Sequence, residues 1–328
     1  MIRVERYSVR KKDEWDRFIA VAKNSTFMLN RSYMDYHADR FEDASLMFYE
    51  DDSLLALLPA TIHGQELRSH GGLTYGGLIV DRHMTTPKEL KLFTALREYM
   101  MEQELSRLIY KRVPAIYYSY PADEDLYALF RNDARLIRRD VSTAINLEDA
   151  IPFSSIRRRM IKKANKQGLV VCQSDDFEGY VNLLSKVLSS RHAAKPVHTA
   201  AELRLLASRF PDVIKLFCAF QGDTMLAGVL IFDTPNVVHT QYIANSDEGC
   251  NVGALDLVMD FLVHEYSVGK KYFDFGIANE NEGRVLNEGL IGQKEMFGGR
   301  AVIHDFYELL PSECDKNEEN TKEVQELV

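Results

Sequence analysis

Short hydrophobic runs broken by polar turns occur twice along the chain in the same order. The first set spans residues 44–77, ASLMFYEDDSLLALLPATIHGQELRSHGGLTYGG, with turns at EDDS and HGQ. The second spans residues 213–253, VIKLFCAFQGDTMLAGVLIFDTPNVVHTQYIANSDEGCNVG, with turns at QGDT and DTPN. Apolar runs bounded by Asp, Gly, Asn and Pro predict the strands of an antiparallel meander. Each meander leads through a glycine-containing loop into a long helix. The first helix opens with Thr86 as N-cap, Pro87 at the first helical position and Glu89 completing a capping box. Leu92, Phe93, Leu96, Tyr99 and Met100 give it an apolar stripe. The second helix begins near Gly253, and only Asp256, Asp260 and His264 form a polar stripe, so most of it is predicted to be buried on a sheet. Strands are predicted after both helices, PAIYYSY from Pro114 and KYFDFG from Lys271.

Between the two halves the pattern predicts a strand over Arg138 to Leu147 and a basic helix ending at Gly168. Helices follow around Tyr180 to Ser190 and from Ala200 to Arg209. The expected fold is therefore α/β of the α+β kind. Two domains, 1–150 and 151–311, each hold a mostly antiparallel central sheet flanked by helices, and a polar tail, 312–328, is expected to be flexible.

Composition narrows the function. A chain of 328 residues suits two domains, and 46% hydrophobic with 27% charged residues suits an ordinary globular protein. A net charge of −9 excludes a bulk electrostatic footprint for nucleic acid. The local run Arg157, Arg158, Arg159, Lys162, Lys163 and Lys166 reads either as a solvated helix face or as a contact for phosphates, tRNA among them. No apolar leader opens the chain and no membrane span is expected. Cys172, Cys218, Cys250 and Cys314 are widely spaced, which argues against a zinc site and a disulfide framework and fits a reducing cytoplasm. The nine histidines lack metal-binding spacing, so no metal is expected.

Three polar segments are candidates for chemistry. Asn251, Val252, Gly253 and Ala254 precede the second long helix, where free backbone N–H groups attract an anion; the alternative is a plain turn and cap. Gly71, Gly72, Gly76 and Gly77, flanked by His70 and Tyr75, expose backbone either to a ligand or to a bulged hairpin. The tract FDFGIANENEGRVLNEGLIGQKEMFGGR, residues 273–300, offers Asn279, Glu280, Asn281, Glu282 and Arg284, then Asn287, Glu288 and Gln293, to a sugar, amine or peptide. Lys294 and Arg300 suit a phosphate or carboxylate; the alternative is a solvated loop and a surface helix.

The succession meander, loop, helix, strand resembles the core of the GNAT acyltransferase fold. Two such cores joined by SIRRRMIKKANKQGL resemble the Fem family of non-ribosomal peptidyltransferases, with the strongest local likeness over Tyr242 to Gly276. The resemblance implies acyl or aminoacyl transfer to an amine, from acyl-CoA or aminoacyl-tRNA as co-substrate, with no tightly held cofactor. It implies donor contacts at Asn251, Val252, Gly253 and Ala254. The acceptor, a small molecule, sugar or peptide such as a cell-envelope precursor, would lie between the domains against Gly71, Gly72, Tyr75, Gly76, Asn279, Arg284, Asn287 and Lys294. Glu280, Glu282, Glu295 and His70 are the candidate bases. The chain departs from the GNAT phosphate-loop pattern at Glu248 and Asn251, and a carboxylate there repels a pyrophosphate. A non-catalytic GNAT-fold binding protein is the alternative.

Overall fold

The computed structural model describes residues 2–192 and 195–311; the tail beyond and Cys314 lie outside the described residues. Two compact units divide the chain. One is Met1–Ala115 with Tyr120–Ile137 and the residues from Asp305 onward, and the other is Ile116–Ser119 with Arg138–His304.

The first unit runs β1 (Ile2–Arg6), α1 (Lys12–Val21), α2 (Arg31–Met34), β2 (Leu46–Glu50), β3 (Ser53–Leu58), β4 (Thr61–His63), β5 (Glu66–Arg68), β6 (Ile79–Val80), α3 (Thr86–Glu102), β7 (Arg107–Lys111) and α4 (Glu124–Arg131). The strands β1, β2, β3 and β6 form one sheet in that order. Leu46, Phe48, Ala56 and Leu58 bury themselves against Leu92, Phe93 and Leu96 of α3. The first meander is thus split: Pro59, which has no N–H to give a ladder, follows β3, and β4 and β5 form a separate hairpin beside β7. Two sequence expectations are corrected here. The residue at the N-cap of α3 is Thr85, without a side-chain cap bond. Glu89 is buried at 1% exposure instead of closing a capping box. The strand after α3 is β7, whose RLIYK alternates in and out, while Ala115–Tyr117 forms a single 3-10 turn behind Pro114.

Besides Ile116–Ser119, the second unit takes in β8 (Arg135–Asn146) from Arg138 on and continues through α5 (Ser155–Lys166), β9 (Val170–Ser174), α6 (Phe177–His192), α7 (Ala200–Arg209), β10 (Ile214–Gln221), β11 (Thr224–Asp233), β12 (Val237–Asn245), α8 (Asp247–Val252) and α9 (Ala254–Phe261). It closes with β13 (Tyr272–Ile277), the two-residue strands β14 (Asn279–Glu280) and β15 (Val285–Leu286), α10 (Glu288–Glu295) and β16 (Arg300–Leu309). Its sheet has the order β8-β13-β12-β11-β10-β9, antiparallel except for the parallel pair β12 and β13. Val229, Ile231, Val238 and Phe273 pack with Val258 of α9 and with Leu262 just past its end. On the opposite face α6 brings Tyr180 over Gly228. The far end of β16, Phe306 to Leu309, pairs with β7 in the first unit, whose second sheet is β4-β5-β7-β16.

Candidate functional site

The parallel pairing of β12 and β13 is short. It joins Val237 to Tyr272, Val238 to Phe273 and His239 to Asp274, and then stops, although β12 runs on to Asn245 and β13 to Ile277. The two strands therefore fork beyond His239 and Asp274. From Thr240 to Asn245, β12 has β11 on one side and, among the described residues, no strand on the other. The register of β12 also slips here: Leu230 faces Tyr242 and Ile231 faces Thr240, so Gln241 is an extra residue in the ladder. Alternation along β11 sets Leu230 and Phe232 on one face, so their partners Tyr242 and His239 share that face despite being three apart. Without the extra residue they would point to opposite sides.

At the root of the fork Asp274 is fully buried. Its Oδ1 accepts from Ser142 Oγ at 2.6 Å and from the Gly276 N–H at 3.0 Å; its Oδ2 accepts from Tyr117 Oη at 2.7 Å and pairs with His239 Nδ1 at 2.9 Å. Burial alone would raise this carboxyl, but His239, His304 and the Ser142 hydroxyl outweigh it and hold the acid well below the usual carboxylate range. Asp274 is thus an acceptor only, and Nδ1 of His239 must carry the hydrogen between them. A neutral His239 then bears its lone pair on Nε2. The His239 side chain keeps 13% exposure, whereas its carboxylate partner has none. A base held in one tautomer and orientation by a buried acid is the arrangement that accepts a proton from a nucleophile.

Lys294 reaches the same region from α10. It is 6% exposed, and its Nζ donates to the carbonyls of Gly276 at 2.7 Å and Ile277 at 2.8 Å, fixing the backbone just past Asp274. Burial lowers its pKa to about 8, with the charge of Asp274 working the other way. The native protein therefore releases this proton near pH 8 and the unfolded chain only near 10.5, the ordinary value. Between those pH values the unfolded chain binds more protons, so stability rises with pH across that window. Relative to Lys294→Met, the wild type should gain roughly 3 kcal/mol over the full window, read as the difference in urea unfolding on either side of it. A difference that stays flat would show that the ammonium keeps its charge throughout.

The residues expected from sequence fall in several places. Of the proposed bases, Glu280 and Glu295 are exposed, and Glu280 accepts from Asn287 Nδ2 at 2.9 Å. Glu282 is exposed too and, with Asn281, takes up left-handed backbone in the turn between β14 and β15. Asn279 is committed to the backbone, its Oδ1 accepting from the Val141 N–H. Asn287 is the N-cap of α10, accepting from the Leu290 N–H, and Arg284 is exposed. Arg300 is exposed beside a cavity of about 180 Å³ lined also by Asn146 and Tyr272. Lys294 alone of this tract turns inward to the backbone beside Asp274.

In the first unit the glycine loop is tied to its own scaffold. His70 is buried, and its carbonyl accepts from Lys111 Nζ, as do those of Gly71 and Leu73. The N–H of Gly71 donates to Thr61 Oγ1 and that of Gly76 to the Lys111 carbonyl. The Gly72 N–H donates to His70 Nδ1. Tyr75 is buried, with its hydroxyl on Thr26 Oγ1 at 3.1 Å.

The stretch expected to hold a pyrophosphate is largely occupied by its own bonds. Ser246 Oγ and carbonyl take the N–H groups of Gly249 and Cys250, and the Gly253 N–H donates to Gly249. Asn251 and Val252 close the short helix α8, and the Asn251 carbonyl accepts from Lys163 Nζ at 2.7 Å. Gly253 has φ +86° and presses against α5: a Cβ there would lie 2.5 Å from the Met160 carbonyl oxygen. Ala254 starts α9, and in that first turn Asp256 pairs with Arg157 Nη1 at 3.1 Å, with the guanidinium 4.4 Å above the Phe297 ring. Arg157 thus belongs to the packing, whereas Arg158, Arg159, Lys162 and Lys166 of the same helix are exposed.

Residues 154–282 match the family model of the acetyltransferase (GNAT) domain. The chain carries a GNAT domain. No curated protein matches the chain significantly. Solved structures with the same fold extend it well beyond that stretch. FemX covers 94% of the chain and 98% of its own length, with TM-score 0.66 at 12% identity. L-PGS from Bacillus licheniformis covers 94% of both chains with TM-score 0.60 at 14% identity. A tandem GNAT protein from the clavulanic acid biosynthesis pathway covers 96% of this chain and all of its own, with TM-score 0.52 at 11% identity. Within the GNAT domain, β12 and β13 supply the fork and its histidine–carboxylate pair. The pair was not among the candidates read from sequence. One signal for it was present: in Phe273-Asp274-Phe275 an acid stands in a strand too apolar to leave it in water, and a buried charge requires partners.

Proposed function

We propose that this protein transfers an aminoacyl or acyl group to an acceptor amine at the fork between β12 and β13, with His239 as general base and Asp274 as the group that orients it. The observation that carries the reading is the end of parallel pairing at His239 and Asp274, joined there by a 2.9 Å contact. The donor carbonyl would lie along the open edge of β12 past Thr240, where backbone N–H groups can meet an oxyanion. His239 Nε2 takes the proton of the attacking ammonium or of the tetrahedral adduct, and Asp274 stabilises the resulting imidazolium. Buried Tyr117 and Ser142 hold that carboxylate still.

An aminoacyl ester on tRNA is favoured over a CoA thioester as the donor. Internal bonds engage the N–H groups of Gly249, Cys250 and Gly253, and Asp256 sets a carboxylate, paired with Arg157, in the first turn of α9, where a pyrophosphate would meet like charge. The exposed row Arg158, Arg159, Lys162 and Lys166 offers phosphate contacts instead. The acceptor would be a small-molecule, sugar or peptide amine, cell-envelope precursors included.

The test uses total tRNA charged with labelled amino acids, mixed with amine-bearing cell-envelope precursors. Wild type should speed loss of label from the tRNA, and His239→Ala should slow it by about 10²-fold or more. Acetyl-CoA should leave the melting temperature unchanged. Acetyl-CoA stabilisation with acetyl transfer would move the donor to a thioester. Full activity of His239→Ala would remove the base from this place. No turnover of either donor would favour the non-catalytic GNAT-fold binding protein.

A further inference from the structure

Antiparallel pairing of β9 with β10 sets Cys172 directly opposite Cys218. Directly opposed residues on neighbouring strands project from the same face of a sheet. Both thiols are free. Opposed Cα atoms in such a pair lie about 4.5 or 5.5 Å apart, and disulfides span Cα separations of about 4.4–6.8 Å. The register therefore puts the two sulfurs side by side on one face, at a Cα separation that a disulfide spans. Their surroundings differ. Cys172 is exposed on β9, the last strand of its sheet, whereas Cys218 is buried. On the inner side Cys218 faces Gly228 across β11, and its Sγ lies 3.2 Å from where a Cβ on that glycine would stand. The missing side chain leaves the buried sulfur its space.

We propose that Cys172 and Cys218 form a modification site, an oxidisable pair that a hydroperoxide closes into a disulfide between β9 and β10. Cys172 Sγ attacks the peroxide first: an S–O bond forms, the O–O bond breaks, and water or an alcohol leaves. The Cys218 sulfur then attacks the sulfenic sulfur of Cys172. The S–S bond forms, the S–O bond breaks, and hydroxide departs as water with the Cys218 proton. The two thiols lose two electrons in total and the peroxide gains them. The order of events follows from accessibility, and it agrees with the thiol of Cys218 being pushed up to about 12 by burial and by the neighbouring Cys172. The pair is independent of the transfer chemistry proposed at His239.

The experiment uses the full chain with Cys250→Ser and Cys314→Ser, which leaves only this pair of the four cysteines. After hydrogen peroxide treatment both thiols should stop titrating, dithiothreitol should restore them, and peptide mapping without reduction should give one linked pair containing Cys172 and Cys218. With Cys218→Ala added, Cys172 should pass to a sulfinic acid that dithiothreitol does not reverse. Cys172→Ser, on the exposed side, serves if the buried variant does not fold; Cys218 should then keep its thiol through the treatment. The proposal is overturned if Cys172 reaches sulfinic acid equally with and without Cys218, if Cys218 oxidises readily in the Cys172→Ser chain, or if both thiols survive excess peroxide.

Discussion

Replacing Asp274 with alanine should lower the unfolding free energy by about 3–5 kcal/mol, the cost of removing one partner from a buried charged cluster. Four groups lose their acceptor at once: Ser142 Oγ, the Gly276 N–H, Tyr117 Oη and His239 Nδ1. Bulk solvent does not reach their shared acceptor, since Asp274 has no exposed surface. Asp274→Asn should cost less, since it keeps the shape and one acceptor oxygen, but its amide N–H₂ must face a donor. That variant separates folding from chemistry: it should retain most of the structure while losing turnover, because His239 no longer has a carboxylate to set its tautomer. Urea unfolding of all three proteins reads the first effect, and loss of label from charged tRNA the second. The depressed acid adds pH dependence with a definite sign. Its stabilisation is fully present above the unfolded-state carboxyl pKa and is lost as pH falls through the lower folded value. A fall of under about 1 kcal/mol for Asp274→Ala, the size of one ordinary hydrogen bond, would show that the cluster does not hold the sheet.

Gly253→Ala should be nearly as damaging, and for a reason unrelated to any donor. The left-handed backbone costs an alanine roughly 1–2 kcal/mol. The new methyl would also stand 2.5 Å from the Met160 carbonyl oxygen, which belongs to helix backbone and cannot turn aside. Displacing α5 from α8 and α9 to relieve that contact should bring the total to about 3 kcal/mol or more. Gly222→Ala is the control. It is also left-handed, at φ +56°, but nothing lies within 4 Å of its added methyl, so it should pay only the backbone cost. Thermal unfolding of the two variants checks the difference. Equal losses would mean that α5 yields easily, and would return Gly253 to consideration as a residue kept small for a ligand.

Local sequence signals locate elements better than they locate neighbours. The second meander is three strands bounded by Gly222 and by Pro235-Asn236, and β10, β11 and β12 fall where the turns put them. The helix Ala200–Arg209 has the bounds expected from its periodicity. In the first half, Pro59 breaks the same pattern between two sheets, because apolar alternation fixes a strand but not its neighbour. The Asn- and Glu-rich tract drew attention through its polarity. Yet Asn279 is consumed by the Val141 N–H of β8 and Asn287 by the cap of α10, and its glutamates face water. Polar density along a chain says little about which side chains converge. His239 and Asp274 are 35 residues apart and meet only because two parallel strands carry them to one level, a contact that no local pattern encodes.

Gln241 adds one residue to β12 and thereby decides which way half of that strand looks. Shortening the strand by that single position would restore strict alternation between His239 and the rest of β12. Tyr242, now hydrogen-bonded through its hydroxyl to His198 Nδ1 at 2.6 Å, would be delivered to the α9 side, into the space of an apolar core. The length of this strand, more than its composition, thus decides which side chains stand beside His239.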